Sequence, residues 1–216
     1  MEPKKDYKVD PRREDHLGLY SSPIRRWLSG FRLRALSRAL HQSTAPGANV
    51  LEVGCGHGEV LEACYRPDIT LTGVDINPVS VNIARKRFAG RRNVTLHEAD
   101  VRALNFADAS FDGILCTEVI EHIPDPRILL NEIDRLLKPG GAFISTVPWE
   151  HLLFLLRALT LPVRFLKGRG LRVPEHLHDF TLSSYRRLLE ETFTVTDIRR
   201  IEFGIRIFAV CGKKKG

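Results

Sequence analysis

The sequence predicts an α/β fold: a doubly wound, mostly parallel sheet of seven strands with an antiparallel C-terminal strand. Three observations lead there. From residue 49 onward, apolar runs of strand length alternate with helical stretches, the pattern of parallel strands joined by crossover helices. The first run lies in residues 50–58 (VLEVGCGHG) and ends in Glu52 followed by Gly54, Gly56 and Gly58. The next run ends in Asp75, seventeen residues beyond the last glycine. Strand, glycine turn, helix, strand and acid make up a nucleotide-binding unit. The glycines admit a ligand that a Cβ would exclude, and the acid accepts hydrogen bonds from ribose hydroxyls.

In chain order, Ser22 and Pro23 supply an N-cap and a first-turn proline. Ile24, Trp27, Leu28, Phe31, Ala35 and Ala39 follow at helical spacing, with Arg25, Arg32 and Arg38 elsewhere on the wheel, and Pro46 and Gly47 end the helix. It is expected to cover one edge of the core or the ligand mouth. Strands are predicted at 49–53, 70–75, 93–98, 111–116, 140–147, 194–201 and 205–211, and helices at 58–66, 78–88, 126–138 and 182–191. Asn77 and Thr181 read as N-caps. The last two strands follow one another across Glu202, Phe203 and Gly204, so they are expected to pair antiparallel. Residues 149–174 fit no element of the sheet and read as an inserted lid. The expected organisation is an N-terminal extension and covering helix (1–48), a single domain (49–212) and a basic tail (213–216).

Composition bounds the function. The 216 residues are 43% hydrophobic and 27% charged, as in a globular domain. The longest apolar-rich stretch, 152–166, is interrupted by Arg157, Pro162 and Arg164 and falls short of the roughly 20 residues that span a bilayer. The polar N-terminus carries no secretory signal. Cys55, Cys64, Cys116 and Cys211 form no C-x-x-C pair and read as free thiols in a reducing cytoplasm. The net charge of +7 sits on the flanks: residues 1–48 hold ten Lys or Arg against five Asp or Glu, and Lys213, Lys214 and Lys215 add three more. Residues 151–174 hold five basic residues and no acid. Such segments either contact anionic lipid or nucleic acid or serve as solubilising surface.

Glycine spacing narrows the ligand. A dinucleotide fingerprint starting at Gly54 and Gly56 needs glycine at 59, where the chain has Glu59, a poor neighbour for a diphosphate. No G-x-x-x-x-G-K-[S/T] occurs, which argues against a P-loop. Residues 52–58 (EVGCGHG) instead resemble the first motif of the class I S-adenosylmethionine (SAM) methyltransferases, whose ligand has no phosphate. Asp100 after the third strand, residues 111–126 (FDGILCTEVIEHIPDP) and residues 136–144 (LLKPGGAFI) resemble later motifs of the same family, in the right order and spacing. The likeness spans roughly 50–147. It implies a Rossmann-like fold, SAM as methyl donor, and a cofactor site of Glu52, Gly54, Cys55, Gly56, Gly58, Asp75, Ile76, Asp100, Val101 and Thr117. Asp100 would accept the adenine amine; the alternative is a helix cap or solvated turn acid.

Glu118, Glu121 and His122 stand at i, i+3 and i+4, so one helical turn would gather them on one face. Two carboxylates and an imidazole can form a divalent-metal shell, completed by His176 or His178. The E-x-x-E-H run is similar to the metal site of the small-RNA 3′-terminal and ubiquinone-pathway O-methyltransferases, where a metal would lower the pKa of the hydroxyl to be methylated. Without a metal, His122 is the first candidate for a general base and His176 the second, His176 otherwise fixing the lid to the core. His57 and Cys55 are expected to shape the glycine loop. The apolar, basic lid suits an interfacial helix, a lipophilic pocket mouth, or a cap packed on the core. Trp149 replaces the family's usual asparagine after Pro148.

Three functions are consistent with these residues. The first is O-methylation of a small, lipophilic acceptor by a cytoplasmic enzyme that also touches anionic membrane surfaces, with no obligate protein partner. The second is RNA methylation, suggested by the basic ends, though no RNA-binding module is recognisable. The third is SAM binding without catalysis.

Overall fold

A computed structural model describes residues 23–102, 104–149 and 177–214. The expected lid, apart from Trp149, and His176 lie outside these residues. Helix α1 (Pro23–Ser43) leads into β1 (Asn49–Val53), α2 (Glu59–Cys64), β2 (Thr70–Asp75), α3 (Pro78–Arg87) and β3 (Val94–Glu98). Then come β4 (Phe111–Thr117), a 3₁₀ turn (Ile120–His122), α4 (Pro126–Leu136), β5 (Leu137–Pro148), α5 (Leu182–Thr192), β6 (Phe193–Ile201), a second 3₁₀ turn (Glu202–Gly204) and β7 (Arg206–Lys213).

The seven strands form one sheet in the order β3-β2-β1-β4-β5-β7-β6. The order reverses at β1, so the loops after β1 and β4 diverge and leave a crevice beyond the strand ends. All neighbours are parallel except at β7, which runs antiparallel to both β5 and β6, as the hairpin expectation required. Crossover helices leave an apolar layer on each face. One gathers Leu51, Ile114, Phe143 and Tyr185 under α4 and α5; the other gathers Leu36, Leu40, Leu71 and Phe208 under α1, α2 and α3. In β2, Gly73 has no substitute: a Cβ would lie 2.7 Å from both Leu61 and Leu96.

Local chemistry explains the boundaries. Asn77 accepts from the Val79 and Ser80 N–H groups and precedes Pro78, and Thr181 closes a capping box with Ser184, so both expected caps are present. Helix α2 ends at Cys64 rather than 66 because Pro67 disfavours helical geometry at Arg66. Pro139 acts likewise on Lys138, so α4 stops at Leu136 and β5 begins at Leu137 rather than 140. The extra residues are absorbed by a bulge, since Phe111 pairs with Leu137 but Gly113 with Ala142.

Candidate functional site

The glycine loop, Asp75, Asp100 and Thr117 all stand at the C-terminal ends of parallel strands, where a doubly wound sheet binds its ligand. Val74 O accepts from the N–H groups of Gly54 and Cys55 at 2.8 and 2.9 Å, binding the loop to β2. Gly54, Gly56 and Gly58 all have left-handed backbones, with φ of +73°, +49° and +80°. A Cβ on Gly54 would meet Val119 Cγ2 at 2.2 Å, and one on Gly58 would meet Phe88 at 2.7 Å. At Gly56, by contrast, nothing described lies within 4 Å of that position. Two glycines therefore serve packing, and the third leaves open space above the loop.

Asp75 organises this opening. Its Oδ2 accepts the Gly56 N–H and its Oδ1 the Asn77 N–H, both at 2.8 Å. An ionised carboxylate offers about four acceptor positions. Among the described residues Asp75 uses one on each oxygen and keeps one on each, beside the free face of Gly56. Two adjacent hydroxyls are the complement of that arrangement. The exposed side chain of Ile76 borders it, as a flat ring would require.

Asp100 differs. Oδ1 accepts from the backbone N–H and the Nε of Arg102, both at 2.9 Å, and Oδ2 from Nε and Nη2 at 3.1 and 2.6 Å. These hydrogen bonds hold its carboxyl below the usual range and fill its acceptor positions. A ligand amine could reach Asp100 only by displacing a bond to Arg102. The adenine reading therefore meets a competitor that was visible two positions away in the sequence, while the bond to the Arg102 N–H is that of a turn acid. Val101 is buried beside it.

Glu52 is 1% exposed, accepting the Leu61 N–H at 3.1 Å, and burial, reinforced by Glu59 and Asp75, raises its pKa well above that of an ordinary carboxyl. It fixes the start of α2 beneath the loop. Cys55 is buried, and burial, reinforced by Glu52, drives its thiol pKa up. Glu59 pairs with Arg87 at 3.2 Å.

The E-x-x-E-H run does not form one helical turn. Glu118 precedes the turn with φ +57°, and only Ile120–His122 is helical, in 3₁₀ form. The residues diverge in consequence. Glu118 is half-buried and bonds Arg206 Nε at 3.0 Å through Oε2 and Thr146 Oγ1 at 3.3 Å through Oε1. Glu121 is fully buried, and burial, reinforced by Glu121, raises the pKa of the Cys116 thiol. His122 is partly exposed. His178, the expected alternative ligand, is hydrogen-bonded through Nε2 to Ile123 O at 2.9 Å. Among the described residues no group of three His, Cys, Asp or Glu could hold a metal ion, because the 3₁₀ turn and the left-handed Glu118 break the helical spacing. Sequence reasoning also missed Arg206, which bonds both Glu118 and the buried Glu202; its contact with Glu118, between positions so far apart, leaves no local signal.

Comparison with known proteins fits this geometry. Residues 51–145 match the family model described as a methyltransferase domain. Over 114 residues the chain is 40% identical to the ubiquinone biosynthesis O-methyltransferase of Paracidovorax citrulli, covering 51% of this chain and 48% of that one. It is 35% identical over 108 residues to the Coxiella burnetii protein of the same name, covering 49% and 46%. The match therefore spans about half the length of these relatives. Among solved structures, the fold resembles the N-methyltransferase NodS of Bradyrhizobium japonicum in complex with S-adenosyl-L-homocysteine (TM-score 0.70, 19% identity, 95% of each chain). It also resembles the [4+2]-cyclase SpnF (TM-score 0.67, 18% identity, 84% of this chain and 81% of that one), so the fold alone does not specify a reaction.

Proposed function

We infer that the protein, whose residues 51–145 match the methyltransferase-domain family model, binds SAM and methylates a hydroxyl of a small, lipophilic acceptor. The observation behind the cofactor assignment is the half-satisfied Asp75 carboxylate beside the open face of Gly56. Asp75 would take the two ribose hydroxyls, Ile76 would border the adenine, and the 54–58 backbone would follow the amino-acid end. Glu52 and Cys55 support the loop from below, and Thr117 and Val101 line its far side.

SAM supplies an already activated methyl group. What remains for the chain is alignment, exclusion of water and removal of one proton. His122, in the 3₁₀ turn after β4 and partly exposed, is the proposed base; His176 would be the second candidate. Oxygen as the methylated atom and an apolar acceptor are supported by the likeness to ubiquinone biosynthesis O-methyltransferases. A divalent metal would require Glu118 to leave Arg206, so the metal-free base is the preferred reading.

Calorimetry with SAM tests the cofactor: tight binding lost in Asp75→Ala is expected, and unchanged affinity in that variant would overturn the site. Transfer of labelled methyl from SAM into the quinone and lipid fraction of the source cell tests the acceptor. Label appearing in RNA instead would replace the acceptor reading and leave the cofactor site standing.

A further inference from the structure

Helix α1 carries a stripe of side chains opposite its buried Arg32, Leu36 and Leu40. Trp27, Phe31, Arg34, Arg38 and His41 recur at spacings of four and three, so they share one face of the helix. Contacts run continuously along it. Trp27 meets Phe31 edge to face at 4.9 Å, and Arg34 lies 4.8 Å over the Phe31 ring. From there Arg34, Ser37, Arg38 and His41 line a groove of about 430 Å³ whose apolar wall is Leu33 and Ala63 of α2. At the far end His41 Nε2 and Cys64 O share a hydrogen bond of 3.3 Å. At 1.5 Å per residue the stripe is about 21 Å long.

The two ends differ in chemistry. One is aromatic: Phe203 of the β6–β7 turn stacks on Trp27 at 5.6 Å with the rings 23° apart, yet Trp27 is 57% and Phe203 68% exposed. Phe203 is kept there at φ +58°, a left-handed backbone that costs energy without burying the side chain. The other end is cationic. Arg34, Arg38 and His41 are exposed, and no ion pair joins Arg34 or Arg38 to an acid among the described residues. Helix α1 itself contains no acid. The acids of the neighbouring elements are engaged: Glu59 and Glu62 of α2 with Arg87, Asp68 with Arg66, and Glu202 with Arg206.

We propose that this stripe docks single-stranded RNA, with bases stacked on Trp27 and Phe203 and the phosphates of the next nucleotides held by Arg34 and Arg38. Every base has a π face, so an exposed ring pair takes it without reading sequence, and guanidinium groups one helical turn apart suit successive backbone phosphates. The Ser37 hydroxyl, on the turn between the arginines, can bond a 2′-hydroxyl, which DNA lacks. A flat partner has the wrong shape. Helix α1 begins beside the β6–β7 turn and ends just before β1 starts, so a plane resting on the C-terminal strand ends would miss His41. A linear polyanion follows the whole stripe. An acidic peptide would match the arginines but supplies no repeated planar ring for the aromatic end. None of these residues belongs to the cofactor crevice, so the docking does not rest on the acceptor proposed above.

The whole protein is titrated against a fluorescein-labelled oligouridylate by anisotropy, with tryptophan emission followed in parallel. Binding at low salt with quenching is expected, the quenching being lost in Trp27→Leu although Trp149 remains. Arg34→Gln combined with Arg38→Gln should weaken binding by about tenfold or more. At roughly −0.7 per phosphate contact, it should also flatten the slope of log affinity against log salt by about 1.4. Both arginines are exposed, so this variant keeps its fold, verified by an unchanged urea midpoint. Absence of binding, binding without quenching, or a salt slope unchanged in the double variant would overturn the proposal. So would equal affinity for an oligodeoxyuridylate, or stronger binding of polyglutamate or of phosphatidylglycerol vesicles.

Discussion

Replacing Gly54 by alanine tests how the glycine loop is joined to the turn after β4. The residue has φ +73°, where a Cβ costs roughly 1–2 kcal/mol. The added carbon would also lie 2.2 Å from Val119 Cγ2, far inside contact distance, and overpacking of this kind costs about 1–3 kcal/mol. Together Gly54→Ala should destabilise by about 2–5 kcal/mol, a large part of a domain's usual 5–15 kcal/mol. Val119→Ala deletes the clashing methyl and leaves the backbone cost in place. In the double variant the steric part, about 1–3 kcal/mol, should therefore be recovered. Urea denaturation of the four proteins measures this coupling. Additivity within about 0.5 kcal/mol, or a Gly54→Ala protein as stable as the parent, would refute the claim that these segments interlock.

Further outcomes are expected from the same site. Asp75→Asn leaves one amide nitrogen facing a backbone N–H that the carboxylate now accepts, so it should lower stability by about 1–3 kcal/mol and weaken SAM binding in calorimetry. Glu52 has its pKa raised in the fold, so the stability that its protonated form contributes is present below the ordinary value of 4.5 and lost as pH rises above it. Glu52→Gln, which can keep the bond to Leu61, should thus gain on the parent as pH climbs from about 4 to 7, read by denaturation at each pH. Arg206→Met strands the buried Glu202 carboxylate and should cost about 3–5 kcal/mol, largely restored by adding Glu202→Gln. Cys55, Cys64, Cys116 and Cys211 are buried, with burial pushing the Cys211 thiol up to about 12, so a thiol reagent at pH 8 should label all four only with global unfolding.

The features legible in the sequence are those whose cause is local. The predicted ranges 49–53 and 70–75 coincide with β1 and β2, because short apolar runs bounded by glycine, proline or acid leave no other reading. Asn77 and Thr181 were visible as caps because capping is decided within three residues. The start of β5 was misplaced because its bulge depends on pairing with β4, more than twenty residues earlier. At the site, the glycine loop and Asp75 are legible for the same local reason. The helical face expected of Glu118, Glu121 and His122 fails because Glu118 has a left-handed backbone ahead of a short 3₁₀ turn and pairs with Arg206 of the last strand, none of which periodicity encodes. Asp100 shows an intermediate case: it follows β3 as the sequence indicates, but the side chain of Arg102 occupies it.

The place of β7 has a consequence for synthesis. It lies between β5 and β6, yet its residues come after both in the chain. While the polypeptide emerges from the ribosome, β5 has a partner only on its β4 side, and its other margin stays open until 206–213 have been made. An unpaired edge so close to the middle of a sheet invites pairing with other nascent chains. Premature termination between the end of β5 and Arg206 would therefore yield a protein with its glycine loop intact and a persistent sticky margin, prone to aggregate instead of ending as a smaller working domain.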